Sequence, residues 1–348
     1  MTVDDRFEGL LDDLSGFYRS WLIYLGLETG LIAALHDSPS GLTTTELSAA
    51  AACAQPGVEG WARAAFAHGL LDVGFVLGDP REDDLAPTAD RFRIDADLAN
   101  VLLDESRPEF LGGQFIFSVG ASLDYTGMTD FLRTGRPSPD RTARFHRSVE
   151  KLNAQDTTLF FEQVLPALPD LVAKLADAEV LDVGCGAAGW LVAMAAAYPG
   201  TRGVGVEFDP EWLARARERV HEAGHEDRIR IEEHDPASME WRDTFDLAYF
   251  QDVVHELPEP EEALRSAWRS VRPGGLLLVF DWCLPTSWDE YRTPQGELLW
   301  GYQLDELYQG TSLLTRRGFD RLFAAAGIGT PQRIELDAGA TVFALRKG

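Results

Sequence analysis

The stretch that decides the fold is EVLDVGCGAAGW, residues 179–190, in which an apolar run ends in closely spaced glycines and leads into an alanine-rich segment. This order predicts a strand, a tight turn and the start of a helix. Glycine suits such a turn because a Cβ atom would collide with a ligand lying on the backbone or would disfavour a positive φ. The stretch therefore predicts a nucleotide-binding turn.

The next apolar run of the chain ends in an acid, Glu207. In a parallel sheet this residue would stand beside the glycine turn, where a carboxylate accepts hydrogen bonds from both hydroxyls of a ribose. Gly184, Gly186 and Gly189 also match the Gly-x-Gly-x-x-Gly spacing of a dinucleotide site. Asp182 argues against that alternative, because a carboxylate just before the first glycine would repel a pyrophosphate and suits a cationic or zwitterionic ligand.

Apolar runs typical of strands alternate with helical patterns from Val180 onward. Strands are predicted near residues 180–183, 203–207, 229–232, 247–251 and 276–282, and helices near residues 191–198, 210–223 and 260–271. This alternation predicts an α/β fold with a parallel, doubly wound sheet that binds ligands at the carboxyl ends of its strands. Two later runs, residues 333–336 and 341–345, are close enough in sequence to pair as a hairpin.

These segments together resemble the class I S-adenosylmethionine-dependent methyltransferases, and among them the small-molecule O-methyltransferases with a helical N-terminal domain. Residues 181–186 resemble the first motif of that family, residues 245–249 its fourth strand and residues 272–276 the turn into its fifth strand. The resemblance implies a Rossmann-like sheet of seven strands that ends in an antiparallel hairpin, a feature that dehydrogenase sheets usually lack. It also implies S-adenosyl-L-methionine as the cofactor.

The same resemblance assigns cofactor contacts to residues of this chain. Glu207 corresponds to the acid that binds the ribose, and His234 and Asp235 correspond to the pair beside the adenine. The implied cofactor-binding residues are Asp182, Gly184, Gly186, Gly189, Glu207, Phe208, Asp235, Pro236 and Gln251.

The resemblance also divides the chain into three parts. Residues 1–100 correspond to a helical and winged-helix dimerisation domain, residues 101–175 to a helical region that binds the acceptor and links the domains, and residues 176–348 to the cofactor-binding domain. Apolar residues recur at helical spacing between Phe7 and Leu35, as expected for a helix that packs on another surface. In this family that surface belongs partly to a second subunit, so a homodimer is predicted. A helix that packs only on its own domain is the alternative.

A small hairpin is predicted in the first part of the chain. Residues 74–77 and 85–88 read as its strands, with the turn 78–81 between them, and two predicted helices precede it, which is the order of a winged helix. The hairpin carries four acids: Asp79, Glu82, Asp83 and Asp84. These acids would repel the phosphates of DNA, so we interpret the winged helix as a scaffold.

His255 is the candidate catalytic base. It follows the predicted strand at residues 247–251, where the family has a histidine that deprotonates the acceptor hydroxyl, and O-methylation is therefore favoured. Asp281 corresponds to a family carboxylate that orients this histidine. The family's second supporting acid is expected near residues 309–312 and is predicted to be missing from this chain. A structural histidine, or one that donates a hydrogen bond to the substrate, is the alternative.

No metal site is predicted. Residues 221–225 match the zinc pattern His-Glu-x-x-His, but Gly224 is expected to end the helix that this pattern needs. A related group of enzymes methylates the carbon beside a 2-oxo acid with a metal held by two histidines, and no second histidine follows His255. C-methylation of such an enolisable metabolite, with or without a metal, stays an alternative. An NAD-dependent dehydrogenase and a non-catalytic winged-helix regulator are the alternatives from other classes.

The chain is strongly acidic, with a formal net charge of −26 and only three lysines. Such a surface repels nucleic acid and anionic membranes, so neither is predicted as a partner, and a small-molecule substrate is expected. Solubility explains this charge, and attraction of a cationic substrate is the alternative. The three cysteines show no pairing pattern, the first residues lack the features of a signal peptide, and no apolar run reaches membrane-spanning length. A cytoplasmic protein is expected.

Overall fold

The computed structural model describes residues 2–74, 90–138 and 141–348, and these form two compact units. Unit 1 consists of Met1–Tyr125 and Arg141–Gln155, and unit 2 consists of Thr126–Asp140 and Asp156–Gly348. The predicted linking region, residues 101–175, therefore contributes to both units. No helix in the described ranges combines the length and apolarity needed to cross a membrane.

Helices account for most of unit 1 and flank the sheet of unit 2. In chain order they are α1 (Val3–Glu28), α2 (Leu31–His36), α3 (Thr44–Ala50), α4 (Gln55–Ala67), α5 (Ala96–Leu103), α6 (Gly112–Ser122), α7 (Met128–Thr134), α8 (Ala143–Leu159), α9 (Leu165–Ala167), α10 (Pro169–Val172), α11 (Gly189–Ala197), α12 (Pro210–Glu222), α13 (Pro260–Ser270), α14 (Trp288–Tyr291), α15 (Pro294–Gln309) and α16 (Arg316–Ala326). A π-helical turn, Phe160–Val164, follows α8.

The strands fall into two sheets. In chain order they are β1 (Asp72–Gly74), β2 (Arg91–Arg93), β3 (Glu179–Val183), β4 (Arg202–Glu207), β5 (Ile229–Glu233), β6 (Phe245–Gln251), β7 (Val271–Asp281), β8 (Gln332–Glu335) and β9 (Thr341–Arg346). The first two strands pair antiparallel in unit 1, and the other seven form one sheet in unit 2 in the order β5-β4-β3-β6-β7-β9-β8.

Unit 1 is a helical body with its own apolar core, formed by residues of α1 to α5 and β2. The indole N–H of Trp61 donates to the carbonyl of Leu22, 2.9 Å away, which ties α4 to α1. Helix α3 begins with a capping box, in which Thr43 and Glu46 each accept a hydrogen bond from the backbone N–H of the other. The predicted wing strands 74–77 and 85–88, with the acidic turn between them, lie outside the described residues except for Gly74, which ends β1.

The sheet of unit 2 confirms the predicted fold class. Strands β5, β4, β3, β6 and β7 run parallel, and β9 joins β7 antiparallel and carries β8 as the last strand of a hairpin. One difference from the prediction lies in residues 272–276, which were expected to form a turn and belong instead to β7. Gly274 has a φ of +78° there, and the pairing of β6 with β7 shifts register between Phe245 and Leu247.

Both faces of this sheet are covered by helices, because alternate residues of each strand point to opposite sides. On one face Val180 and Leu278 belong to a core that includes residues of α11 and α12. On the other face Leu181 and Leu277 belong to a core that includes residues of α13 and α16. Strands buried on both faces read as continuous apolar runs, which is why the sequence located them.

Two lysines hold backbone segments of unit 2 together. The ammonium of Lys347 donates to the carbonyl of Val271 at 2.6 Å and to the carboxylate of Asp243 at 2.9 Å. The ammonium of Lys174 donates to the carbonyl of Gly274 at 2.6 Å. Both contacts secure the irregular first part of β7.

The sheet core yields a stability prediction. Leu278 is fully buried between β6 and β9, and Leu298 on α15 is 44% exposed. We expect Leu278→Ala to lower the free energy of unfolding by about 2–5 kcal/mol, because the lost contacts leave a cavity. Leu298→Ala, the same change at an exposed helical position, should cost no more than about 0.5 kcal/mol. Urea unfolding of both variants measures the difference, and equal losses would contradict the described packing.

Candidate functional site

The glycine turn joins the end of β3 to the start of α11. Gly184 and Gly186 have φ angles of +71° and +49°, in the left-handed region that favours glycine. A Cβ atom on Gly184 would also lie 2.6 Å from Cγ2 of Val253, too close for a side chain. Gly189 begins α11, and a Cβ there would approach the guanidinium of Arg219 to 2.8 Å. The turn thus excludes side chains at Gly184 both by backbone conformation and by lack of space.

Glu207 stands at the end of β4, beside this turn. Its carboxylate accepts hydrogen bonds from the backbone N–H groups of Gly186 at 3.1 Å, Phe208 at 2.8 Å and Asp209 at 3.0 Å. The side chain is buried, and burial raises the pKa of Glu207 although these three donors oppose the rise. The carboxylate therefore fixes the glycine turn against the end of β4.

Asp182 lies within β3, paired with Gly205 of β4. Its side chain is 3% exposed. Burial raises the pKa of Asp182 to about 8, and the charge of Glu207 adds to the rise. Two buried acids thus lie side by side under the glycine turn.

The remaining predicted cofactor residues lie at the same edge of the sheet. Asp235 follows β5 and caps the short turn Pro236–Ser238 by accepting a hydrogen bond from the N–H of Ala237 at 2.9 Å. Phe208 is half exposed directly after β4. Gln251 ends β6, and its side-chain oxygen accepts a hydrogen bond from the hydroxyl of Tyr249 at 3.5 Å. The structure therefore brings the predicted residues to the carboxyl ends of β3, β4, β5 and β6.

His255 lies on a short turn, Val254–Glu256, just after β6. Its Nδ1 atom is 3.1 Å from both carboxylate oxygens of Asp281, the last residue of β7. The two side chains are 2% and 0% exposed. The N–H of Asp252 donates to the carbonyl of Phe280 at 2.9 Å, which joins the ends of the two strands. The sequence thus identified a histidine and an acid that are in contact.

The prediction that a second acid is missing near His255 is wrong. Glu306 of α15 places its Oε2 atom 3.8 Å from Nε2 of His255. Thr311, which follows α15, donates a hydrogen bond to this carboxylate. Glu306 lies within α15 and not among residues 309–312, where the second acid was expected. The missed signal was the helical spacing within α15, which turns the side chain of Glu306 towards His255.

The surroundings of His255 are unusually acidic. Burial lowers the pKa of His255, but the charge of Asp281 and its hydrogen bond raise it, and Asp252 and Glu256 raise it further, so that the net pKa is well above the ordinary value. Asp252, His255 and Asp281 present potential metal-ligand atoms within 4.8 Å of one another, as do His255, Glu256 and Glu306. The acids of this cluster therefore stabilise positive charge.

The zinc pattern at residues 221–225 does not form a site in the structure. Helix α12 ends at Glu222, and Gly224 adopts a φ of +66°, as the sequence predicted. His221 is exposed and pairs with Glu226, whereas Nδ1 of His225 lies 3.0 Å from the guanidinium of Arg228. The two histidines have separate partners.

Comparisons with known proteins agree with this geometry. Residues 181–279 match the family model described as a methyltransferase domain. This part of the chain is a methyltransferase domain. It contains most of β3, all of β4 to β6, the glycine turn, His255 and most of β7.

Two relatives show how far the likeness extends. Aclacinomycin 10-hydroxylase of Streptomyces purpurascens is 34% identical over 176 residues, which are 46% of this chain and 45% of that protein. The 27-O-demethylrifamycin SV methyltransferase of Amycolatopsis mediterranei is 28% identical over 137 residues, 38% of this chain and 50% of that protein. The chain thus spans about half the length of these curated relatives.

Solved structures share the fold along the entire chain. Human N-acetylserotonin methyltransferase, solved in complex with SAM, has a TM-score of 0.70 at 19% identity, and the match covers 100% of both chains. The mitomycin 7-O-methyltransferase MmcR has a TM-score of 0.65 at 20% identity, with 99% of this chain and 98% of that chain covered. At these identities the likeness establishes the fold of the methyltransferase domain and of the helical region before it.

The raised pKa of Asp182 predicts a pH-dependent stability. The folded protein keeps a proton on Asp182 up to about pH 8, whereas an unfolded chain releases it near 3.8. This residue therefore makes the fold less stable as the pH rises from about 4 to about 8. Asp182→Asn removes the titration, so the free energy of unfolding of the variant minus that of the wild type should increase with pH across this range. Urea unfolding at several pH values measures this difference, and one that is constant with pH would contradict the raised pKa.

Proposed function

We propose that this protein is an S-adenosylmethionine-dependent methyltransferase that methylates a hydroxyl group of a small specialised metabolite. The contact between His255 and Asp281, at the ends of β6 and β7 in a methyltransferase domain, is the observation that carries this proposal. The names of the relatives support a specialised metabolite, since they refer to aclacinomycin, rifamycin and mitomycin.

The edge of the sheet fits the proposed cofactor. S-adenosylmethionine supplies a methyl group that its sulfonium has already activated. Asp182 and Glu207 would hold the positively charged and ribose portions, because they are buried acids and a carboxylate oxygen can accept more than one hydrogen bond. The other proposed contacts are Gly184, Gly186, Gly189, Phe208, Asp235, Pro236 and Gln251. No lysine or arginine side chain in the described residues forms an ion pair with Asp182 or Glu207.

His255 would act as the general base. Its Nδ1 faces Asp281, so a proton on Nδ1 is held there and Nε2 is left to take the proton of the acceptor hydroxyl. Glu306, on the Nε2 side, would stabilise the imidazolium that results. Because acids around it raise its pKa, the neutral form of His255 becomes populated at a higher pH than in an ordinary histidine. The base would therefore become more active as the pH rises.

The alternatives receive less support. A dehydrogenase would share the glycine turn, but the matched family model is that of a methyltransferase domain. A regulator without chemistry has no use for a buried histidine oriented by an acid. C-methylation of an enolisable metabolite uses the same base and differs only in the acceptor, so the nature of the product decides between them.

Substitution of His255 tests the mechanism. We expect His255→Ala to lower kcat by about 10²-fold or more, the usual contribution of a general base, and to leave the affinity for S-adenosylmethionine unchanged. Labelled cofactor, a metabolite extract and mass spectrometry of the labelled product measure transfer, and calorimetry measures cofactor binding. His221→Ala, at a histidine that is 80% exposed on its side chain, is the control. Full turnover by His255→Ala would reject this role.

We further propose that the protein is a cytoplasmic homodimer. Helix α1 carries an exposed apolar face at helical spacing, defined by Phe7, Leu10, Leu14, Phe17 and Tyr18, each more than half exposed. Beside it, α1 and α4 line a cavity of about 350 Å³. An exposed apolar surface of this kind is typical of a protein interface. All three cysteines are unpaired, which suits a reducing compartment.

A charged substitution on α1 tests the dimer. Leu14 is 61% exposed within the apolar face, so an aspartate there should disturb a subunit interface without disturbing the core. We expect the wild type to sediment as a dimer and Leu14→Asp to sediment as a monomer in analytical ultracentrifugation. Leu132→Asp, at a leucine of α7 that is 67% exposed, should remain dimeric. A monomeric wild type would refute the proposal.

A further inference from the structure

Two further acids of unit 2 have no role in the mechanism above. Asp156, at 2% exposure, follows the last residue of unit 1 in sequence and belongs to unit 2. Asp252 directly follows β6. Oδ2 of Asp156 and Oδ1 of Asp252 are both buried, and neither accepts a hydrogen bond from any residue that the structure describes. Buried polar atoms are nearly always hydrogen-bonded, so each of these oxygens calls for a ligand.

Asp252 belongs to the cluster around His255, and Asp156 is near enough to Asp252 and Asp281 for their charges to act on it. An oxygen of Asp252 lies within 4.8 Å of a ring nitrogen of His255 and of an oxygen of Asp281. Burial raises the pKa of Asp156, and the charges of Asp252 and Asp281 raise it further, against an opposing hydrogen bond from the side chain of Trp282. Asp156, Asp252 and Asp281 therefore form one acidic group.

Positive charge near this acidic group is scarce. His255 is its one cationic side chain among the described residues, and its Nδ1 already faces Asp281. Neither Asp156 nor Asp252 forms an ion pair with a described lysine or arginine. A buried carboxylate without a charge partner is costly, and a cation that binds beside it offsets part of this cost. Asp252 also has a φ of +51°, a strained conformation for a residue other than glycine.

We propose that the acceptor carries a protonated amine, which binds against Asp156 and Asp252 while its hydroxyl group meets His255. This inference rests on the proposed function and names the class of acceptor. The net charge of −26 fits it, because an acidic surface raises the local concentration of a cationic substrate. The acceptor is then an amino-substituted hydroxy compound, such as a metabolite with an aminosugar or an alkylamine.

A metal ion held by Asp252, His255 and Asp281 is the competing cation, and the geometry disfavours it there. A metal bound by Asp252, His255 and Asp281 would need a nitrogen of His255 as a ligand. Nδ1 is 3.1 Å from both oxygens of Asp281, a hydrogen-bond distance that a metal between them would disrupt. An ammonium group needs only carboxylate oxygens and leaves the contact between His255 and Asp281 intact.

Small probes test binding at this acidic group without knowledge of the natural acceptor. Benzylamine is protonated at neutral pH, and benzyl alcohol is its neutral counterpart. With the full-length protein saturated with S-adenosylhomocysteine, we expect benzylamine to bind about tenfold more tightly than benzyl alcohol, as a charge-assisted hydrogen bond allows. Calorimetry or ligand-observed NMR measures both affinities. Equal affinities, or no binding of benzylamine, would overturn the proposal.

Substitutions test whether Asp156 and Asp252 cause the preference for benzylamine. Asp252→Asn and Asp156→Asn should each remove most of the preference for benzylamine, whereas Asp289→Asn, at an exposed acid of α14, should keep it. A preference that survives in both variants would overturn the proposal, and thermal melting shows which variants fold. Saturable binding of Mn²⁺ that displaces benzylamine and is lost in Asp252→Asn would identify a metal site instead. If the proposed function itself is wrong, the wild type will not bind S-adenosylmethionine, and this result is separate from the benzylamine measurements.

Discussion

The carboxylate of Asp281 is withdrawn from water at the end of β7 and faces Nδ1 of His255 at 3.1 Å. Removing one partner of such a buried pair costs about 3–5 kcal/mol, because the other is left as an unpaired charge. The pair depends on the register of β6 with β7, in which Gln251 lies opposite Phe280 and the N–H of Asp252 reaches the carbonyl of Phe280. The position of the proposed base is therefore set by strand pairing.

The acids at this edge of the sheet differ in what balances their charge. Glu207 is satisfied by three backbone N–H groups, so it is part of the structure of the glycine turn before any ligand binds. Asp281 is balanced by His255. Asp156 and Asp252 have oxygens without a donor in the described residues. Glu207 and Asp281 therefore belong to the structure of the site, whereas Asp156 and Asp252 each keep an oxygen that can contact a substrate.

The sequence predicted the parts of this site that depend on neighbouring residues along the chain. Strands such as β3 read as apolar runs because both their faces are buried, and the glycine turn follows directly from Gly184 and Gly186. Glu306 was missed because its approach to His255 depends on the phase of α15 and on where that helix packs. The role of Asp156 was missed for the same reason, since its neighbours come from β6 and β7. Contacts between distant segments have no local pattern in the sequence.

The scarcity of lysine has a practical consequence for chemical modification. Lys151 pairs with Glu105, Lys174 donates to the carbonyl of Gly274, and Lys347 donates to Val271 and Asp243. Every lysine of the chain is thus engaged in a contact within its own unit. Amine-reactive dyes, crosslinkers and surface-coupling reagents would disrupt these contacts, and those of Lys174 and Lys347 hold the backbone in place. Coupling through an introduced thiol or an acidic side chain on the surface would spare those contacts.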